Sequence, residues 1–326
     1  MNPFYKRTII FGSIAWIYLT AMPLVEAKEP ETWLTGSLIA PVGTVIPYGD
    51  FLLKSYISCT ADTGIYNQHW NAISADENVY KFSIQEFCFV GLTSWCDIQI
   101  VPQLFYNIVS YQQYVYPGDL TIGLDFQLMA DDVTPYFPGI KLSIKEVFPT
   151  GNFQGFSPRK LNADQTGMGT FATQFDLVFY KVYHLHRANW LSTTYSVEYT
   201  VNTPVKVHGF NAYGGGFGTT GTILPGNQFQ AIMSVELSLN QHWALALDTV
   251  YTHTETTQFF GREGITFKGT SAQVRSPSSQ QFALAPAIEY NFSRKFGIIA
   301  GCFVSVTGKN SLEFRSGMIN FNYGIK

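Results

Sequence analysis

Acidic, basic and amide side chains recur at alternating positions of apolar segments, and they do not gather in a catalytic motif. In "DLTIGLDFQLMA" (119–130), for example, Asp125 and Gln127 alternate with Leu124 and Phe126. Rows of carboxylates, ammonium groups and amides of this kind could line a polar passage, where they would bind water and solutes. The side chains assigned to this polar phase are Asp97, Gln99, Asp125, Gln127, Lys141, Lys145, Asp176, Glu198, Glu236, Asp248, Glu289 and Arg315.

Motifs for catalysis or cofactor binding are weak. The sequence has no G-x-S-x-G, and "GFGTTG" (216–221) follows no buried strand and opens no helix, so dinucleotide binding is not expected. His184 and His186 fall in a short turn, and His253 falls at a strand end. No group of His, Cys, Asp and Glu has metal-ligand spacing. We expect no metal, no cofactor and no enzyme activity; a hydrolase that uses His253 is the minor alternative.

The N-terminus carries the long apolar run of the chain. Lys6 and Arg7 precede an apolar stretch of about 15 residues, which ends in the A-x-A-like sequence before Lys28. This pattern predicts a signal peptide over residues 1–27 with cleavage after Ala27; an N-terminal membrane anchor is the alternative. Residues 28–50 are rich in Pro, Gly and Thr, and we expect them to form an extended periplasmic segment.

Export would place the four cysteines in an oxidising compartment. Cys88 and Cys96 flank a short turn, and a hairpin centred near Leu92 would place them opposite each other. The sequence leaves two readings open: a cross-strand disulfide between Cys88 and Cys96, or two small apolar side chains. Cys59 and Cys302 look unpaired.

Alternation with period 2 predicts about twelve strands and an all-β fold. Connections after odd-numbered strands are mostly long and those after even-numbered strands are short, which indicates an antiparallel up-and-down meander over 51–326. The predicted strands are 51–61, 79–91, 96–107, 119–130, 139–149, 169–183, 190–202, 227–239, 243–254, 281–292, 296–306 and 312–326.

Three features favour a transmembrane β-barrel over a soluble one. Charged residues make up 13% of the chain, whereas soluble surfaces carry about a quarter or more. Strands of about 11 residues match a tilted crossing of the hydrocarbon layer. Aromatic residues gather at strand ends, as in interfacial girdles. We therefore expect a barrel in the outer membrane of a Gram-negative bacterium, with Phe282, Leu284 and Ile288 facing lipid and Glu289 facing inward.

The predicted bore is polar and slightly acidic, so it would favour neutral or cationic small solutes. Besides these solutes, the expected partner is membrane lipid; the near-neutral net charge of -3 does not indicate a nucleic-acid partner. The alternative function is a surface-exposed barrel of adhesin or antigen type, whose long loops near 203–226 and 255–280 bind a partner.

Several short motifs resemble one outer-membrane family. "GLTSWCDIQIVPQ" (91–103) is similar to the G-L-T-x-x-x-D-x-Q-x-x-P signature of the family named for the MetA pathway of phenol degradation. "PGIKLSIKEVFPTGNF", "LALDTVYTHT" and "INFNYGIK" resemble its later strands. The resemblance implies a β-barrel channel or transporter, with aromatic or apolar compounds as solutes. The chain departs from outer-membrane barrels in general by ending at Lys326, where an aromatic residue is common.

Overall fold

The computed structural model describes residues 33–131, 136–160, 162–186 and 189–325, with the side chains of 76–78 and 186 left aside. The predicted signal peptide and its cleavage after Ala27 lie outside the described residues. The strands are β1 (Phe51–Tyr66), β2 (Ala72–Gly91), β3 (Cys96–Val101), β4 (Gln103–Val109), β5 (Gln112–Pro117), β6 (Leu120–Met129), β7 (Gly139–Phe148), β8 (Ala172–His186), β9 (Asn189–Asn202), β10 (Val205–His208), β11 (Thr220–Leu224), β12 (Gln228–Ser238), β13 (Trp243–Thr254), β14 (Gln258–Arg262), β15 (Ser279–Ser293), β16 (Phe296–Lys309) and β17 (Ser311–Ile325). In the described part of the chain, no helix is long and apolar enough to cross a membrane.

The strands close into a barrel, because β1 pairs with β17 on one side and with β2 on the other. The main sheet contains fourteen strand segments, all neighbours being antiparallel. Two of the barrel strands are interrupted: Pro102 separates β3 from β4, and Gly118 and Asp119 separate β5 from β6. Each interrupted pair continues as one barrel strand, so the predicted antiparallel up-and-down barrel of about twelve strands is confirmed.

The alternation of exposure along each strand is inverted relative to a soluble protein. On β13, Leu245 and Leu247 are 45% and 46% exposed, whereas Asp248 is fully buried. The same inversion holds on β15, where Phe282 and Ile288 are exposed and Glu289 is fully buried. Because the sheet is closed, it leaves no strand edge with unpaired backbone groups in lipid, and its apolar exterior suits the hydrocarbon layer. A β structure that spans a membrane requires both.

Aromatic rings form two bands at opposite ends of the barrel strands. Near the long-loop end, Tyr251 contacts both Phe229 and Phe282. Near the short-turn end, rings contact one another in the series Trp243, Tyr290, Phe292, Phe296 and Tyr323. Amphipathic rings prefer the interface between hydrocarbon and water, so the two bands mark the two surfaces of the membrane.

The long loops build a cap that the sequence did not predict. Strands β10, β11 and β14 form a separate three-stranded sheet. Its inner face packs as a cluster of Val205, Val207, Ile223 and Val274, with Phe153 of the preceding long loop against it.

The loop after β7 fastens this cap to the barrel mouth. Asn107, which points inward from β4, donates hydrogen bonds to the carbonyls of Ala163 and Gln165. Asp119 accepts hydrogen bonds from the backbone N–H groups of Gly151 and Met168, each at 2.9 Å. Burial raises the pKa of the Asp119 carboxyl, and the two amides act in the opposite direction. The loop therefore folds over the bore and not away from it.

Of the two readings left open for Cys88 and Cys96, the disulfide is not formed, because all four cysteines are free. The register of the β2–β3 hairpin pairs Gly91 with Asp97 and Cys88 with Ile100. The turn is therefore shifted from the symmetric position assumed in the prediction, and the two thiols are not opposite each other.

Candidate functional site: the bore and its luminal segment

The structure places every predicted bore residue inside the barrel except Arg315. Their side chains are buried or half-buried, on the phase opposite to the exposed apolar residues. This inward set is Asp97, Gln99, Asp125, Gln127, Lys141, Lys145, Asp176, Glu198, Glu236, Asp248 and Glu289.

Arg315 is a correction to the prediction, because its side chain is exposed on the outside of β17. Along this strand, Ser316 and Asn320 are buried and point inward, whereas Ile319 is exposed. Arg315 shares the phase of Ile319, so the period-2 rule itself places it on the outer surface.

One side of the bore, on β6 to β9, satisfies its charges within the barrel wall. Lys141 Nζ lies 3.3 Å from Asp125 Oδ2, and both side chains are almost completely buried. Lys145 Nζ lies 2.5 Å from Glu198 Oε2 and 3.9 Å from Asp176 Oδ2. We call these five residues the ion-paired wall.

The opposite side, on β12, β13 and β15, has acids outside any described ion pair, although the buried Lys54 of β1 interacts with Glu236 and Asp248 at longer range. Glu236, Asp248 and Glu289 are each at most 3% exposed. Among the described residues, none of the three forms an ion pair. We call these three residues the carboxylate wall. Isolated buried carboxylates are unfavourable unless something else donates hydrogen bonds to them.

The donors come from residues 33–47, which run inside the barrel and are named here the luminal segment. Its backbone N–H groups donate to acidic and amide side chains of the bore. The pairs are Thr35 to Glu289, Ile39 to Asp248 at 2.7 Å, Val45 to Gln127 at 2.9 Å and Ile46 to Asp97 at 2.5 Å. The prediction of a periplasmic segment over 28–50 is therefore wrong for residues 33–47.

Apolar contacts hold the middle of the luminal segment. Leu38 is fully buried against Ala246, Ala285 and Ile299. Ala40 packs in a second cluster with Ile232, Val250 and Ala283. The alanines on the inward phase of β13 and β15 leave the room that these residues fill. Small apolar residues on an otherwise polar phase were a sequence signal of the segment, and it was missed.

The luminal segment begins and ends at the short-turn end of the barrel. The Trp33 ring contacts His242 in the turn before β13. At the other end of the segment, Gly49 N–H donates to the carbonyl of Gly91. A Cβ at position 91 would lie 1.9 Å from the carbonyl oxygen of Pro47, so only glycine fits where the chain passes. Gly91 and Asp97 of the signature-like motif thus both hold this segment.

A cavity of about 170 Å³ remains between the tip of the luminal segment and the ion-paired wall. Its lining combines cationic, acidic and aromatic side chains, among them Lys54, Lys145, Asp176, Tyr56 and Phe87. The luminal segment and this cavity therefore share the bore at this level.

The hydrolase alternative gains no support from the surroundings of His253. In the strand register this residue lies between Phe229 and Gln280. Its Nδ1 is buried, and no described group forms a hydrogen bond with it. Within the described residues, no group of three or more His, Cys, Asp and Glu could hold a metal ion.

No protein-family model matches the chain, and no curated protein matches it. Among solved structures, the chain is similar to an outer membrane channel from Pseudomonas putida F1, with a TM-score of 0.65 and 13% identity over 88% of this chain and 100% of that chain. The NanC porin (TM-score 0.40, 9% identity, 83% and 98% covered) and a deletion mutant of the TodX monoaromatic hydrocarbon channel (TM-score 0.39, 11% identity, 85% and 91% covered) are more distant. The first likeness shows the fold, that of an outer-membrane β-barrel; the other two carry no argument.

Proposed function

We propose that this protein is an outer-membrane channel for small solutes, and that its luminal segment closes the bore in the conformation described. One observation carries the proposal: the bore is lined by charged and amide side chains, and a segment held through non-covalent contacts runs inside it. A strand wall with this lining needs only the segment to move for solutes to pass.

The number of strands supports a bore with room for solutes. Barrels of eight strands are filled by their own side chains, whereas those of 16 strands leave an aqueous channel. A barrel of twelve strands lies between these cases, and here the extra space holds residues 33–47. Because both ends of this segment lie at the short-turn end, it can withdraw in that direction without being threaded through the wall.

The charges favour neutral or cationic solutes. When the luminal segment leaves, Asp248 and Glu289 lose their backbone donors and line the bore as anions together with Glu236. The resemblance of the signature-like motif to the phenol-degradation family implies aromatic or apolar compounds, and the aromatic rings of Tyr56 and Phe87 in the remaining cavity suit such solutes.

Reconstitution of the purified barrel tests this function. In planar bilayers with a KCl gradient, we expect brief openings and a reversal potential that indicates cation preference. In liposome swelling, small neutral aromatic solutes and cationic solutes should enter faster than anionic solutes of the same size. A folded protein that neither conducts nor admits any of these solutes would contradict the proposal.

The partner-binding alternative is favoured by one feature of the cap. The rings of Phe210, Phe217 and Phe267 contact one another, and Phe217 and Phe267 are 49% and 66% exposed. Replacing both exposed phenylalanines by serine should abolish adhesion of barrel-expressing cells while conductance is unchanged. Unchanged adhesion would remove this alternative.

A further inference from the structure

The cap sheet has two unlike faces. A channel function explains no feature of one of them. Val205, Val207 and Ile223 point to the buried inner face. The register places the alternate residues on the opposite face, named here the outer cap face. It consists of Lys206, His208, Thr220, Thr222, Leu224, Gln258, Phe260 and Arg262.

The outer cap face is directed away from the bore. The inner face packs against Phe153, in the loop that also binds Asn107 inside the barrel mouth. Strands β10, β11 and β14 are joined by two or three residues to the neighbouring barrel strands β9, β12 and β13, so the cap sheet continues the barrel wall and its outer cap face lies on the outer side of that wall.

The face lies close to the membrane surface. Leu224 at its lower edge is five residues before Phe229, whose ring belongs to the aromatic band at the long-loop end. A fully extended chain of that length spans at most about 17 Å. The lower part of the face therefore lies within about 17 Å of that aromatic band, on the side of the membrane interface, where cationic and aromatic side chains find both anionic and apolar partners.

The exposed side chains combine two cations with two apolar groups. Phe260 and Leu224 are 59% and 37% exposed. Neither Lys206 nor Arg262 forms an ion pair with any described residue. Arg262 Nε donates to the carbonyl of Gly218 at 2.8 Å, which fixes the position of the guanidinium.

The acidic side chain that is nearest along the chain does not neutralise these cations. Glu263 accepts a hydrogen bond from the Ser271 hydroxyl at 2.6 Å, so its carboxylate is engaged within the loop. No residue of the outer cap face is acidic. The face is therefore cationic around an apolar centre.

We propose that the outer cap face binds the phosphate groups of outer-leaflet glycolipids, with Lys206 and Arg262 contacting phosphate and with Phe260 and Leu224 resting on the apolar part of the lipid. An arginine held at one nitrogen still offers N–H donors in the planar geometry that suits phosphate. This contact anchors the cap to the surrounding leaflet and is independent of which solute the bore passes.

The test uses diphosphorylated lipid A and the intact barrel in detergent. The Lys206→Gln/Arg262→Gln variant is compared with Lys268→Gln/Arg275→Gln, which removes the same charge from elsewhere in the cap. Bound lipid is counted by native mass spectrometry over a range of lipid concentrations. We expect the first variant to bind about tenfold more weakly or worse, and the second to remain within about twofold of the wild type.

A second lipid separates phosphate recognition from simple adhesion. Lipid A without phosphates should bind the wild type about as weakly as diphosphorylated lipid A binds the Lys206→Gln/Arg262→Gln variant. Equal affinity of the wild type for both lipids, or equal loss in both double variants, would overturn the proposal. Heat-modifiable gel mobility verifies that each barrel is folded, and conductance should be the same in both variants.

Discussion

The two walls of the bore stabilise their buried carboxylates in different ways. Both bury carboxylates in a barrel whose outside is apolar. The ion-paired wall supplies its own cations, Lys141 and Lys145, from a neighbouring strand. The carboxylate wall depends on backbone N–H groups of the luminal segment, for example that of Ile39 on Asp248.

Because of this difference, the ion-paired wall contributes to barrel stability and the carboxylate wall contributes to opening of the bore. When the luminal segment moves, the ion-paired wall keeps all its partners, so it contributes to barrel stability in every state. The carboxylate wall loses its backbone donors at the same moment and keeps only barrel partners such as Asn291, so it becomes solvated and sets the charge of the open bore. Substitutions in the two walls should therefore affect different measurements.

The largest effect is expected from Lys141→Met in the ion-paired wall. Removing one partner leaves Asp125 buried without a counter-charge, which should lower the free energy of unfolding by about 3–5 kcal/mol. Urea unfolding in detergent micelles measures this change. The double variant Lys141→Met/Asp125→Asn serves as control and should recover most of the loss. A barrel as stable as the wild type after the single change would show that the pair is not buried as described.

The next effect is expected from Leu38→Ala in the luminal segment. Loss of a buried leucine side chain should weaken the seating of the segment by about 2–3 kcal/mol. The ratio of seated to released states would then fall roughly 30- to 140-fold, since 1.4 kcal/mol is a factor of ten. Single-channel recording should show a higher open probability with unchanged unit conductance. If the free energy of unfolding falls and the open probability does not rise, Leu38 stabilises the barrel as a whole and not the seating of the segment.

A smaller effect is expected from Asp248→Asn/Glu289→Gln in the carboxylate wall. Each amide still accepts a hydrogen bond but without charge, so each bond weakens by about 0.5–1.5 kcal/mol. Openings should become more frequent, and the cation preference in the reversal potential should decrease. The change Asp62→Asn, in an acid that is paired with Lys81 and has no described contact with the luminal segment, should leave opening frequency unaltered. An unchanged reversal potential in the Asp248→Asn/Glu289→Gln variant would show that these acids do not line the conducting path.

The smallest effect is expected from Arg315→Gln. Because Arg315 lies on the outer surface, conductance and selectivity should equal those of the wild type, and stability should change by no more than about 0.5 kcal/mol. Recording in the same KCl gradient checks this. A change in reversal potential would place the side chain in the bore after all.

Alternation in the sequence was enough to predict the barrel and most of its inward side chains, because lipid and bore impose opposite demands on successive residues. The same rule correctly predicted that Glu289 points inward. Counted in steps of two from the exposed Ile319, it would also have placed Arg315 on the outer surface. The pattern left the pairing of Cys88 and Cys96 open because it does not determine the register of a turn, which the hydrogen bonds around Leu92 and Cys96 set.

The luminal segment could not be predicted from period or propensity. It has no regular secondary structure, and its anchors Asp248 and Glu289 are more than 200 residues away from it in the chain. Only an indirect signal existed: alanines such as Ala283 and Ala285 on the inward phase, where a water-filled bore would carry polar side chains. The cap sheet was missed because its strands are only four or five residues long.

The role of the luminal segment is tested most directly by the single-channel conductance of a variant that lacks residues 33–47 and retains the predicted signal peptide. We expect a folded barrel that is open for most of the recording, with cation preference at least equal to that of the wild type in its brief openings. A folded deletion variant as silent as the intact protein would contradict the claim that this segment is what closes the bore.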